Sequence, residues 1–546
     1  MKSPGSDCET LRSEASWLRA SGQYDEAVVV ATKVLMIDEK ALGPDHPDVA
    51  TSLDILAGLY CNQGQYAQAL PLCERALAIR EKVLGPDDLE VASSLNNLAV
   101  LYRAGCQYAL AQPLNERALA IREQVLGSDH PDVATSLTNL AHLHRAQAQY
   151  ALAQPLQKRA LAIREKGLGL DDPVVASALD NLAVLYCHLG EHALAQPLHK
   201  RALAIRELVL GPDHPDVASS LDNLAVLHRG LGQHALAQPF YERSLAIKEK
   251  LLGPDHSDVA TSLDKLAVLH CDLGQYALAQ PLYERSLAIK GKVLGPHDPA
   301  VASALNNLAV LYCVEGQYAL AQPLHERALA IREQVLGSRH PDVATSLTNL
   351  ANLYRAQGQY ALAQPLYERS LAIKQKELGP DDPVVASSLD NLAMLYCHQG
   401  QYALAQPLHR RALAIREKVL GPDHPDVATS LDNLAVLHRG QGQYALAQPL
   451  HRRALAIYER ALGPDHPDVA ISLNNLGSLY VDQGQYAKAE PLFKRSLAVL
   501  EKALGPKHPD VATALANLAR LHERSGLPNA RPKHRLQIVA EGPLSD

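Results

Sequence analysis

Phenylalanine and tryptophan are almost missing from this chain, with 2 Phe and 1 Trp in 546 residues of which 47% are apolar. The core must then be built from Leu, Ala, Val and Tyr, a palette that suits helices. Positive charge is also short: 52 Lys plus Arg stand against 59 Asp plus Glu, for a net charge of -7. No basic stretch offers what a phosphate backbone demands, so nucleic acid is not an expected partner. The longest apolar stretches are broken by charge every few residues, and Met1 to Trp17 lacks the basic start and apolar run of a signal peptide. A soluble, cytoplasmic protein without a membrane partner is the expectation. Cysteines number 8, and Cys61, Cys187, Cys271, Cys313 and Cys397 occupy one repeat position in different units. Units offset by two helix spacings keep such thiols beyond the roughly 7 Å that a disulfide spans between Cα atoms, so they read as small apolar residues.

Chemistry-bearing constellations are absent too. No Ser-His-Asp set, phosphate-cradling glycine loop or pair of acids occurs in a distinctive setting, and neither enzyme activity nor a cofactor is expected. His46, His130, His214, His256, His340, His424, His466 and His508 sit one per unit, whereas a metal needs three or four groups converging on one point. Capping or loop packing is their expected role.

What the chain does have is a period of 42 residues. Gly43, Gly85, Gly127, Gly169, Gly211, Gly253, Gly295, Gly337, Gly379, Gly421, Gly463 and Gly505 each open a short loop followed by a similar segment. A unit of this size cannot bury a core alone and must stack on its neighbours, giving an array whose long surface is its working part. In the unit from Gly211, glycine and Pro212 stop the preceding helix, with a left-handed glycine expected as the cap. Asp213 or His214 caps the next helix, Pro215 suits its first turn, and Asp216 favours the helix dipole. Leu221, Leu224, Ala225 and His228 recur at spacings of three and four, forming one apolar face that ends at Gly230 to Gly232. A second helix is predicted from about His234 to Leu252, with Leu236, Ala237, Phe240, Ser244, Leu245 and Ile247 facing the core and Glu242, Arg243, Lys248 and Glu249 in water. Pro239, repeated in almost every unit, costs little in a first turn and kinks a helix further in.

The Gly-Gln-Tyr turn between two helices, Leu-Ala in the first and Ala in the second, resembles the tetratricopeptide repeat. The linker Gly-Pro-Asp-His-Pro-Asp-Val-Ala, then Asn-Leu-Ala-x-Leu-Tyr and Arg-Ala-Leu-Ala-Ile-Arg-Glu, is similar to the longer repeat of kinesin light chains. The resemblance runs from Tyr24 to about Arg524. It implies an all-α fold, an α-solenoid coiled as a right-handed superhelix. Residues 1–42 read as a divergent N-terminal capping pair with Trp17 over the end of the core, 43–524 as tandem helix-turn-helix repeats with a terminal capping helix, and 525–546 as a flexible tail. Arg122 to Ser128 reappears as Arg332 to Ser338, five units on, so a block of five units reads as copied whole.

In repeats of this family the first helices line the inner surface. The most regular residue there is an asparagine: Asn97, Asn139, Asn181, Asn223, Asn307, Asn349, Asn391, Asn433, Asn475 and Asn517. A carboxamide offers donor and acceptor together, so such a ladder can pair with the backbone of an extended peptide whatever its sequence. The alternative is that it bridges adjacent units. Ile55 and Lys265 interrupt it. Asp180, Asp222, Asp390 and Asp432 precede it, while Arg103, Arg145, Arg229, Arg355 and Arg439 lie nearer the turn, so the groove is expected to carry an acidic strip beside a basic one. For any one of these charges alone, a solvated face is the competing reading. The lysines and second asparagine by which chaperone-binding members hold a C-terminal carboxylate are replaced by Asp222 and Val226, with Asn352 a partial match. No heptad segment precedes the repeats to pair with a motor chain. The expectation is a scaffold or adaptor, monomeric, that binds peptide segments of other proteins; the alternative is a structural array that self-associates end to end.

Overall fold

The computed structural model describes residues 4–20, 23–63, 65–105 and 107–525, and every regular element among them is an α-helix. In chain order these are α1 (Pro4–Ala20), α2 (Tyr24–Leu42), α3 (Pro47–Asn62), α4 (Tyr66–Leu84), α5 (Leu89–Ala104), α6 (Tyr108–Leu126), α7 (Pro131–Ala146), α8 (Tyr150–Leu168), α9 (Pro173–His188), α10 (His192–Leu210), α11 (Pro215–Gly230), α12 (His234–Leu252) and α13 (Ser257–Asp272). They continue as α14 (Tyr276–Val293), α15 (Pro299–Val314), α16 (Tyr318–Leu336), α17 (Pro341–Ala356), α18 (Tyr360–Glu377), α19 (Pro383–His398), α20 (Tyr402–Leu420), α21 (Pro425–Gly440), α22 (Tyr444–Leu462), α23 (Pro467–Asp482), α24 (Tyr486–Leu504) and α25 (Pro509–Ser525). The chain divides into two compact units, Met1–Ala178 and Leu179–Asp546. In each, helices pack in sequential pairs, the α-solenoid arrangement. The expected tail lies outside the described residues apart from Ser525.

Local chemistry sets these boundaries. At the start of α11 the cap is His214 rather than Asp213: its Nδ1 accepts from the Asp216 backbone N–H at 3.1 Å, and Pro215 follows in the first turn. Asp88 does the same for α5 through Glu90 N–H at 2.8 Å. The glycine that ends each second helix differs from the expected left-handed cap. Gly211 stands at φ 89°, ψ 158°, a region essentially open to glycine alone, which turns the chain out of the helix in one residue. The repeated proline is the sixth residue of its helix, as Pro239 is in α12, beyond the first turn. It deprives the Ala235 carbonyl of a partner, and both residues face solvent, where water can serve instead.

The core is a run of small apolar clusters in which each helix serves two neighbours. Ala225, Ala237, Tyr241, Leu266 and Leu269 form one cluster, and Val217, Ala218, Leu221 and Ile247 form the next, with Phe240 packed against both. Ala225 and Ala237 are wholly buried, which lets the paired helices approach closely. Three side chains depart from their expected places. Leu236 is 53% exposed and Trp17 is 64% exposed, so Ala15 and Leu18 rather than Trp17 close the apolar end of α1. Lys248 is turned inward, where its Nζ reaches Asp222 at 2.9 Å and Ser262 at 2.8 Å.

Candidate functional site

Each first helix gives its broad face to the core and keeps one narrow stripe open. In α11 the buried residues are Val217, Ala218, Ser220, Leu221, Asp222, Leu224, Ala225, Leu227 and His228. Of the others, Ser219, Asn223, Val226 and Gly230 are spaced four, three and four apart, which is one side of a helix. Consecutive first helices also touch one another, as α3 with α5, α5 with α7, and α19, α21, α23 and α25 in turn. Second helices stand further from their like, so within each unit the first helices occupy the tighter, concave side.

The ten predicted asparagines all fall on this stripe. Asn97 is exposed, while Asn139, Asn181, Asn223, Asn307, Asn349, Asn391, Asn433, Asn475 and Asn517 are half-buried. None of their side chains hydrogen-bonds another described residue, so the bridging alternative has no bond to rest on. Lys265, which breaks the ladder, does bridge units, its Nζ meeting Asp222 of the preceding helix pair at 2.8 Å. Sequence reasoning missed the apolar half of the stripe: Val100, Val226 and Val310, one turn beyond an asparagine, are 39%, 48% and 41% exposed. Their spacing of three from Asn97, Asn223 and Asn307 was the available signal.

The aspartates lie elsewhere. Asp180, Asp222, Asp390 and Asp432 are only 5–6% exposed and are held by internal partners. Asp180 binds His199 Nδ1 at 2.6 Å and Arg206, which also reaches Ser220 of the next first helix. Asp390 repeats the arrangement with His409 at 2.6 Å, Arg416 at 2.5 Å and Ser430, and Asp432 binds His451 at 2.6 Å. Burial would push the Asp222 carboxyl up, but Lys248 and Lys265 outweigh it and hold it below the ordinary value. These carboxylates buttress the stripe from behind and leave no acidic strip at those positions, because a buried charge is tolerable only when paired.

The arginines divide between the two units. In the second, Arg229 pairs with Asp272, Arg439 Nε meets Asp482 at 3.3 Å, and Arg355 Nη1 meets His398 Nε2 at 3.1 Å, each across to the next first helix. Burial would lower the Arg229 pKa, yet Asp272 carries it above the ordinary value. In the first unit Arg103 and Arg145 are neighbours of like sign. Burial lowers the Arg145 pKa and the charge of Arg103 lowers it further. No group of three or more His, Cys, Asp or Glu side chains suited to a metal occurs among the described residues, and no described helix is long and apolar enough to cross a membrane. The described cysteines are free, and burial pushes the Cys73 and Cys313 thiols up to about 12, which keeps them protonated and unreactive.

Antiparallel helix pairs stacked at a fixed period, with an open stripe on one helix of each, define a helical-repeat protein. The tetratricopeptide repeat model matches residues 51–124, 90–166, 174–250, 229–292, 300–376, 384–460, 433–502 and 468–530, and a second tetratricopeptide model matches 15–48. The chain belongs to the tetratricopeptide repeat family. Among solved structures it is similar to a Podosopora anserina protein of nearly identical TPR-like repeats, provisionally described as a kinesin light chain. The two are 31% identical, with 38% of this chain and 97% of that one covered and a TM-score of 0.33. It is also similar to BtubC (BKLC) from P. vanneervenii, at 25% identity, with 49% of this chain and 97% of that one covered and a TM-score of 0.34. No curated protein matches. Repeats of this family generally mediate protein–protein interaction.

Proposed function

We propose that this protein is a scaffold or adaptor whose first-helix stripes hold extended peptide segments of other proteins. The observation that carries this reading is the stripe itself, where a carboxamide free of hydrogen bonds to other described residues recurs every 42 residues from Asn97 to Asn223 and from Asn307 to Asn517. An extended peptide offers N–H and C=O groups at short, regular intervals, and a carboxamide can answer both. Val100, Val226 and Val310 supply apolar contact for side chains between those points. Arg103 and Arg145, which have no carboxylate partner among the described residues, favour a carboxylate-bearing segment on the first unit, since guanidinium groups of like charge repel each other until an anion separates them.

A peptide-array screen of the full chain against Asn181→Ala/Asn223→Ala/Asn391→Ala/Asn433→Ala tests it. Each lost hydrogen bond is worth about 0.5–1.5 kcal/mol, so capture of bound peptides should fall about tenfold or more with helicity unchanged. Undiminished capture by the folded variant would remove the asparagines from the reading.

A further inference from the structure

Within the second unit the array returns to touch itself. His424, the cap of α21, accepts from the Asp426 N–H through Nδ1 at 3.1 Å and places Nε2 3.2 Å from the backbone carbonyl of His188, the last residue of α9. His466 does the same between Asp468 N–H at 3.1 Å and the Gly230 carbonyl at 3.3 Å, 236 residues away, and His508 caps α25 with its ring against Gly274. With Nδ1 accepting, the ring proton must sit on Nε2, which is the atom facing a helix-end carbonyl that has no partner in its own helix. Proline follows each histidine and seats on a glycine. A Cβ added at Gly232 would lie 2.5 Å from Pro467 Cδ, and one at Gly274 would lie 2.9 Å from Pro509 Cδ. The linker of one unit therefore docks on the inter-helix turn of the unit six earlier.

Related surfaces are left open elsewhere in this unit: the linker at His214 carries the same histidine and proline, and the linker at His256 carries the histidine with Ser257 in the place of the proline. The seated His424, His466 and His508 side chains are 10%, 9% and 8% exposed, whereas those of His214 and His256 are 39% and 37% exposed. Gly316, Gly358, Gly400, Gly442 and Gly484 have the backbone of the seated turns, at φ 71–74°, and a Cβ on any of them would meet nothing within 4 Å. We propose that the open linkers at His214 and His256 dock on two adjacent open turns of a second copy of this chain, repeating between molecules the imidazole-to-carbonyl contact that His424 and His466 make within one, with Pro215 seating on a glycine as Pro425 and Pro467 do. The occupant is a second copy because the surfaces are already complementary to each other in three places, at the same 42-residue stagger. Since linker and turn are unlike surfaces, the association is head to tail and does not close at a dimer. It does not rest on the asparagines of the peptide-binding stripe, because its contacts are made at the helix end and the inter-helix turn.

Sedimentation velocity of the full chain from roughly 1 to 100 μM at neutral pH should show mass rising past the dimer without a plateau. His214→Asp/His256→Asp keeps both caps, as Asp298 and Asp382 do naturally, and removes the Nε2 donors. Gly358→Asn/Gly442→Asn interrupts every adjacent pair of open turns with a residue that tolerates positive φ and finds free space in the single molecule. Each variant should associate about tenfold more weakly or worse, because a helix-end carbonyl or a proline is left unseated. Mixed together, they should form a complex that stops at two, through the intact turns of the first and the intact linkers of the second. A native chain that stays monomeric, or either variant assembling like the native chain, overturns the proposal.

Discussion

Ala148 holds a turn position that glycine takes in every later repeat. It stands at φ 54°, the single described non-glycine with positive φ, where Gly190, Gly232, Gly274 and their successors occupy the same place at φ 65–74°. A Cβ in that region costs about 1–2 kcal/mol, partly offset by the extra unfolded-state freedom of glycine. Ala148→Gly should raise the thermal midpoint of the first unit, by up to about 1 kcal/mol of stability in calorimetry. Asp390 carries the opposite risk. Asp390→Ala leaves Arg416 and His409 buried without their carboxylate, and the unfolding free energy should fall by about 3–5 kcal/mol, read by denaturant unfolding and by loss of amide protection around α19 to α21. The asparagine ladder was legible in the sequence because its period survives any packing. The inward lysine and arginines were not: Lys248 and Arg206 sit at the edge of a helical stripe, where periodicity reads as solvated. Their burial is decided by a Ser and an Asp fourteen residues on and twenty-six residues back.

At the scale of the element, the second helix from His234 to Leu252 falls where the apolar spacing placed it, because Gly232 and Gly253 punctuate it on both sides. The three seated capping histidines make their helix starts sensitive to acid. Burial lowers the pKa of His424, His466 and His508 from 6.5, and it lowers His325 to about 4, its Nδ1 bound to the Asn306 side-chain oxygen at 2.9 Å. The folded chain holds these rings neutral, so the unfolded chain binds more protons below 6.5. Their contribution is fully present above that value and is lost as pH falls from 6.5 through the lowered values, toward 4 for His325. The urea midpoint should therefore drop across that interval, and His325→Gln, which copies Gln157 at the equivalent place, should flatten the dependence. A midpoint unchanged between neutral pH and pH 4 in the native chain would contradict this.

For the whole molecule, register matters more than length. Deleting residues 337–378, one full period, brings the linker at His466 to the place six units after the turn at Gly190, and the three seated contacts become two with no helix lost beyond the deleted pair. Circular dichroism and calorimetry should find helicity per residue unchanged and the midpoint moved by only a few degrees. Deleting residues 337–357, half a period, sets like helices against each other and should cost most of the cooperative transition. The pairing of units was legible from the glycine spacing, since each contact lies within one period. The self-contact was not, because it depends on small rotations summed over six units, which no local pattern encodes.

The self-contact also bears on how the second unit meets mechanical load. Each clasp is a single imidazole-to-carbonyl bond with a proline against a glycine, far weaker than the apolar seams that join successive helices. Tension along the stack would part the clasps first, lengthening the unit like a spring whose coils separate while every helix pair stays whole, and on release the coils would find the same glycines again.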